Sequence, residues 1–149
     1  MKSLNVLYAQ SGGVTAVINA TAAAVIEAGR KSNKINKVLA AKNGILGALK
    51  EELIDTNLEG KKEISKLKYT PGGVFGSCRY KLQDPEKDQS EYQRLMDVFT
   101  AHNIGYFLYN GGGDSLDTAN KIATYTSKRG FPVQCIGIPK TVDNDIPFT

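Results

Sequence analysis

Apolar and polar residues follow one another along this chain in blocks. Leu4 to Gln10 is a short apolar run that stops at Ser11-Gly12-Gly13, and apolar residues then recur at Val14, Val17, Ile18, Val25 and Ile26 within an alanine-rich stretch. The run predicts a strand and the glycine pair a turn. The spacing after it predicts a helix from about Thr15 to Ala28, stopping near Gly29, with Arg30 and Lys31 at its negative end. Val38 to Ala41 predicts a second buried strand. Glycines between Asn43 and Gln83 interrupt any long period, so loops and short elements are expected there, with one short helix over Lys61 to Leu67. Order returns at Ser90, an N-cap candidate with Gln93 three residues on, and Tyr92, Leu95, Met96 and Phe99 follow at the spacing of a core-facing helix. Tyr106 to Tyr109 predicts an aromatic strand. It runs through Asn110-Gly111-Gly112-Gly113-Asp114-Ser115 into a helix carrying Leu116, Ala119, Ile122 and Ala123, with Ser115 as candidate cap and Lys128-Arg129-Gly130 as its end. Val133 to Ile138 predicts a last strand, leading into Pro139-Lys140-Thr141-Val142-Asp143-Asn144-Asp145.

Strands alternating with amphipathic helices predict an α/β fold: a parallel sheet, right-handed crossovers and helices on both faces. Ligands of such sheets sit beyond the carboxyl ends of the strands. The clusters Ser11 to Gly13, Asn110 to Ser115 and Pro139 to Asp145 each follow a strand directly, and are expected to meet on one rim.

Composition narrows the function more than the fold. With 149 residues, 41% hydrophobic, the chain reads as a single globular domain and excludes repeat arrays and disordered tails. Its 19 Lys and Arg against 15 Asp and Glu leave +4, spread along the chain and denser between Lys61 and Lys68, which argues against a nucleic-acid partner. No apolar run reaches the roughly 18 residues that span a bilayer, and the start lacks a signal peptide's apolar region, so no membrane partner and a cytoplasmic location are expected. Cys78 and Cys135 have no metal-ligand spacing and read as small buried hydrophobes. The charged stretch Glu59 to Lys68 reads as a solvated helix face, His102 as a helix C-terminal residue, and Tyr8, Tyr106 and Tyr109 as core.

The three clusters carry the candidate chemistry. A glycine turn between strand and helix brings backbone N–H groups and the positive end of a helix dipole to one point, which suits phosphate, and two such turns suit a ligand with more than one phosphate. Neither turn has Walker A or GxGxxG spacing. Lys140, Thr141, Asp143 and Asp145 put a cation, a hydroxyl, a base and hard metal ligands within a few residues. Mg²⁺ takes carboxylate and phosphate oxygens, and a second carboxylate can accept a proton from an attacking hydroxyl.

Ser11-Gly12-Gly13, Gly72-Gly73-Val-Phe-Gly76-Ser77-Cys-Arg79, Gly-Gly-Gly-Asp-Ser at 111 to 115, and Pro139-Lys140-Thr141-Val142-Asp143-Asn144-Asp145-Ile146 resemble the phosphofructokinases, in order and approximate spacing, over almost the whole chain. The likeness is greater to the pyrophosphate-dependent branch. It implies a Rossmann-like three-layer N-terminal domain and Mg²⁺-dependent phosphoryl transfer to the 1-hydroxyl of fructose 6-phosphate. By the same resemblance Asp143 is the proton acceptor, Thr141 and Val142 lie with it against the sugar, and Asp145 lies near the metal. Gly12, Gly13, Gly112, Gly113 and Arg79 would meet the diphosphate. Members that use ATP typically carry glycine where this chain has Asp114 and Lys140. A carboxylate in the place of a nucleotide's α-phosphate repels it, and a fixed ammonium stabilises charge on a leaving phosphate.

The common family loop has one residue more between its glycines and its serine. Matching serines without a gap puts Asp114 at the donor-discriminating position, with metal binding left to Asp145 and Asp114 itself. Matching aspartates makes Asp114 the metal ligand. The family's catalytic unit is at least twice as long, so residues 1–149 are expected to be a donor-binding N-terminal part. Alone they are expected to be close to inactive, and the full-length protein a homo-oligomer. An ATP-dependent kinase of the same family and a non-catalytic phosphate-binding subunit are the alternatives.

Overall fold

The computed structural model of the chain describes residues 4–140. Five strands, β1 (Leu4–Gln10), β2 (Ile35–Ala41), β3 (Leu53–Asp55), β4 (Ile104–Gly111) and β5 (Gln134–Pro139), form one sheet in the order β3-β2-β1-β4-β5. β1 lies in the middle, parallel to β2 and β4, so that Leu7 stands opposite Leu39 on one side and Phe107 on the other. β5 extends the parallel set beside β4. The helices are α1 (Ile18–Lys31), α2 (Ile45–Lys50), α3 (Lys61–Lys66), α4 (Ser90–Ala101) and α5 (Gly113–Lys128).

Side chains alternate across each strand, and the two resulting faces are covered by different helices. Val6, Tyr8, Val38 and Ala40 meet Ala22, Ala23 and Ile26 of α1. Leu7, Ala9, Phe107 and Tyr109 meet Tyr92, Leu95 and Phe99 of α4 and Ile122 and Tyr125 of α5. Aromatic rings dominate that second core: Phe99 and Phe107 lie 5.5 Å apart by centroid and Tyr92 and Tyr125 4.9 Å. Each such buried side chain contributes roughly 1.5–3 kcal/mol. On the α1 face Tyr106 and Leu108 of β4 are only partly covered, and Ile136 of β5 is exposed.

The expected strand–turn–helix alternation and helices on both faces are found, with four differences of detail. First, β3 runs antiparallel to β2. The chain returns through the single short helix α2 and a left-handed Glu51 (φ 63°), too tight a connection for a parallel crossover. Second, α1 begins at Ile18, three residues late, and Val14 and Val17 are exposed. Its first turn is spent on Asn19, whose side chain donates to the Thr70 carbonyl and accepts from the Val74 amide. The same helix runs through Gly29 to Lys31, and the glycine there serves packing against β2, not termination: a Cβ would stand 2.3 Å from Val38 Cγ2. Third, Ser90 is the first residue of α4 and not its cap, since its amide is taken by the Asp88 carboxylate at 2.9 Å. Fourth, α5 starts at Gly113 and leaves Ser115 inside its first turn.

His102 does follow the end of α4, and its Nε2 lies 2.7 Å from Glu51 Oε1. Tyr8 and Tyr109 are core residues, while Tyr106 is half-buried. Cys135 is a half-buried free thiol that burial pushes up to about 12.

Candidate active site

The carboxyl ends of β1, β4 and β5 are held in register beyond the last side chains of the sheet. Ser11 N donates to Asn110 O and Lys140 N to Gly111 O, both at 2.9 Å, so each loop leaves the sheet from a hydrogen-bonded position. Beneath them lies a buried polar strut. Asn110 Nδ2 donates to Tyr8 Oη (3.0 Å), which donates to Gln10 Oε1 (3.1 Å), and Gln10 Nε2 donates to Gly76 O (2.9 Å). Burial pushes the Tyr8 phenol up to about 12, which keeps it protonated as the donor of that strut.

The two glycine turns face one another above this strut. Gly12 has φ +77°, a conformation open to glycine at little cost, and its carbonyl accepts from Ser77 Oγ at 2.6 Å. Its amide is spent on Cys78 O at 3.1 Å, so of the N–H groups expected to point at a phosphate this one instead ties the turn to the Ser77–Cys78 segment. The second turn opens onto the N-terminus of the 16-residue α5, where the helix dipole favours an anion. The Ser11 and Ser115 hydroxyls are hydrogen-bonded across the gap, beside Tyr109, whose phenol burial pushes up to about 12. Ser115 was expected to cap α5; its hydroxyl instead joins the two turns.

A cleft of about 320 Å³ lies between these turns, lined by three cations, Arg79, Lys81 and Lys140, and one carboxylate, Asp114. Lys140 is 5% exposed and its Nζ donates to Gly13 O, so it is a built-in cation and not a solvated loop lysine. The Arg79 guanidinium passes 3.9 Å from where a Cβ on Gly13 would stand. Asp114 is 85% exposed, its Oδ1 3.3 Å from Lys81 Nζ. The structure thus brings together Gly12, Gly13, Arg79, Gly112, Gly113, Asp114 and Lys140. Thr141, Val142, Asp143 and Asp145 lie outside the described residues. Lys81 and the serine pair escaped the sequence reading. Lys81 stands two residues beyond Arg79, and that spacing on an extended segment was the available signal.

Among the described residues no three His, Cys, Asp or Glu side chains come together. Asp114 nonetheless brings a carboxylate to the cleft, which fits a hard cation that completes its shell with phosphate and water oxygens.

An open, mainly parallel α/β sheet with its cleft at the strand ends defines a class of ligand-binding proteins, and a more specific assignment follows from relatives. The chain belongs to the phosphofructokinase family, whose model matches residues 5–149. It is 60% identical over 149 residues to the pyrophosphate–fructose 6-phosphate 1-phosphotransferase of Xanthomonas campestris pv. campestris, and 55% over 150 residues to that of Methylococcus capsulatus. All of the chain is matched, against 35% and 36% of those two proteins, so the chain spans about a third of their length. The crystal structure of the pyrophosphate-dependent phosphofructokinase from Nitrosospira multiformis superposes with a TM-score of 0.89 at 59% identity, covering 97% of this chain and 35% of that one.

Proposed function

We propose that the polypeptide carrying these residues transfers a phosphoryl group from pyrophosphate to the 1-hydroxyl of fructose 6-phosphate, yielding fructose 1,6-bisphosphate and inorganic phosphate as a cytoplasmic step of glycolysis. One observation carries the reading: three cations and a single carboxylate converge between two glycine turns at the carboxyl ends of adjacent strands. The names and identities of the relatives support the same chemistry.

In this reading residues 1–149 supply the donor side. Arg79 and Lys140 bind the diphosphate oxygens, and Gly12, Gly13, Gly112 and Gly113 let the backbone approach them. Lys140, already desolvated against Gly13, faces the phosphate that leaves. A buried ammonium pays little reorganisation as charge develops there. Asp114 occupies the space a nucleotide would need and excludes it by charge. Asp143 accepts the proton of the attacking hydroxyl, and Thr141 and Val142 hold the sugar. Mg²⁺, held by Asp114 and Asp145, would neutralise phosphoryl oxygens. The full-length protein is a homo-oligomer.

The test is the longest native polypeptide that contains these residues, assayed for fructose 1,6-bisphosphate with Mg²⁺ and either pyrophosphate or ATP. Turnover with pyrophosphate is expected, and Asp114→Gly with Lys140→Gly should lower it by a factor of 100 or more, on the order of 3 kcal/mol. Turnover with ATP alone overturns the donor assignment. No turnover with either donor leaves the chain a phosphate-binding subunit.

A further inference from the structure

Arg79 and Lys140 account for two of the three cations in the cleft; the third, Lys81, has no role in the reading above. Its placement is not that of a casual surface lysine. The segment that carries it is fastened on both sides. Before it, Ser77 Oγ and Cys78 O bond to Gly12. Immediately before it Tyr80 Oη, and after it the Gln83 amide, bond to Glu91 of α4, and Leu82 is buried. The main chain therefore delivers Lys81 to the mouth of the cleft while its side chain, 59% exposed, keeps rotamer freedom. Its ammonium stands 3.3 Å from Asp114 Oδ1, 33 residues away in sequence.

An exposed lysine–carboxylate pair at that distance is worth little, about 0–1 kcal/mol, and exchanges readily for a stronger partner. A diphosphate oxygen is such a partner, since it carries more charge and accepts charge-assisted hydrogen bonds. We propose that Lys81 is a diphosphate-binding residue that trades its pair with Asp114 for a phosphate oxygen when the donor enters. Lys81 screens the Asp114 carboxylate while an anionic substrate approaches, and stands close enough to turn to the phosphate. The inference rests on the pyrophosphate reading of the cleft.

Steady-state kinetics of the longest native polypeptide with Lys81→Met and Lys81→Arg test it, with the unsubstituted protein in the same assay. Lys81→Met is expected to raise the KM for pyrophosphate about tenfold, the loss of one charge-assisted hydrogen bond. KM for fructose 6-phosphate and kcat should move less than about threefold, and Lys81→Arg should recover most of the loss. An unchanged pyrophosphate KM in Lys81→Met overturns the role of Lys81 and leaves the donor assignment standing. So does a fall in kcat alone, or an arginine variant no better than methionine. If the unsubstituted protein does not use pyrophosphate, the donor assignment fails and the inference fails with it.

Discussion

At the floor of the cleft one absent methyl group decides whether the two turns can meet. A Cβ on Gly111 would stand 2.2 Å from Ser115 Oγ and 2.6 Å from Ser11 Oγ, inside the contact that joins them. Both hydroxyls are buried and cannot swing into solvent, so Gly111→Ala is expected to cost about 1–3 kcal/mol, read as a lower urea midpoint with an unchanged m-value. The same substitution should part the turns and weaken the pyrophosphate binding proposed for the cleft. Residues at this scale were legible in proportion to how local their reason is. Lys140 could be named because it follows a strand directly, and Asp114 through the likeness of its glycine loop to the family's. Lys81 and the Ser11–Ser115 contact could not, because their partners lie 33 and 104 positions away and meet only through the β1–β4 pairing. Lys140 was legible as a cation but not as a buried one, since its desolvation comes from the Gly13 carbonyl on another loop.

The elements repeat one lesson about helix starts. Hydrophobic spacing located α1, α4 and α5, while their first residues were decided by side chains engaged elsewhere: Asn19 on the 70–74 segment, Asp88 on the Ser90 amide, Ser115 on Ser11. β3 was illegible because three residues carry no period, and its antiparallel sense follows from the left-handed turn at Glu51. That turn also ties α2 to α4. The Glu51 carboxylate accepts from Arg94 Nη2 at 3.0 Å and lies 2.7 Å from His102 Nε2, and these two partners, His102 foremost, hold its pKa below the ordinary 4.5. A carboxyl lowered in the folded state stabilises above its unfolded pKa and loses that contribution as pH falls through the folded value. The stability gap between the unsubstituted chain and Glu51→Gln should therefore be present above about pH 4.5 and close on acidification below it, measured by urea denaturation across that range.

For the whole molecule the handedness of the connections does most of the work. β1 to β2 moves one way along the sheet and β4 to β5 the other, so right-handed crossovers place α1 on one face and α5 on the opposite one. The point between β1 and β4, where the direction reverses, is where two loops diverge and leave a cleft. That much of the architecture was legible in the order of strands and helices alone. The extra antiparallel edge strand changes the sheet without touching the cleft. A last consequence concerns motion. Because the loops leave the sheet from hydrogen-bonded positions, the amides of Ser11, Gly12 and Lys140 are bound to carbonyls of other segments and not merely exposed at a rim. Their deuterium uptake should be among the slowest in the chain, following the global opening of the sheet rather than local fraying, whereas amides of the exposed turn at 84–88 should exchange early. A rim of that kind keeps its shape for as long as the sheet does.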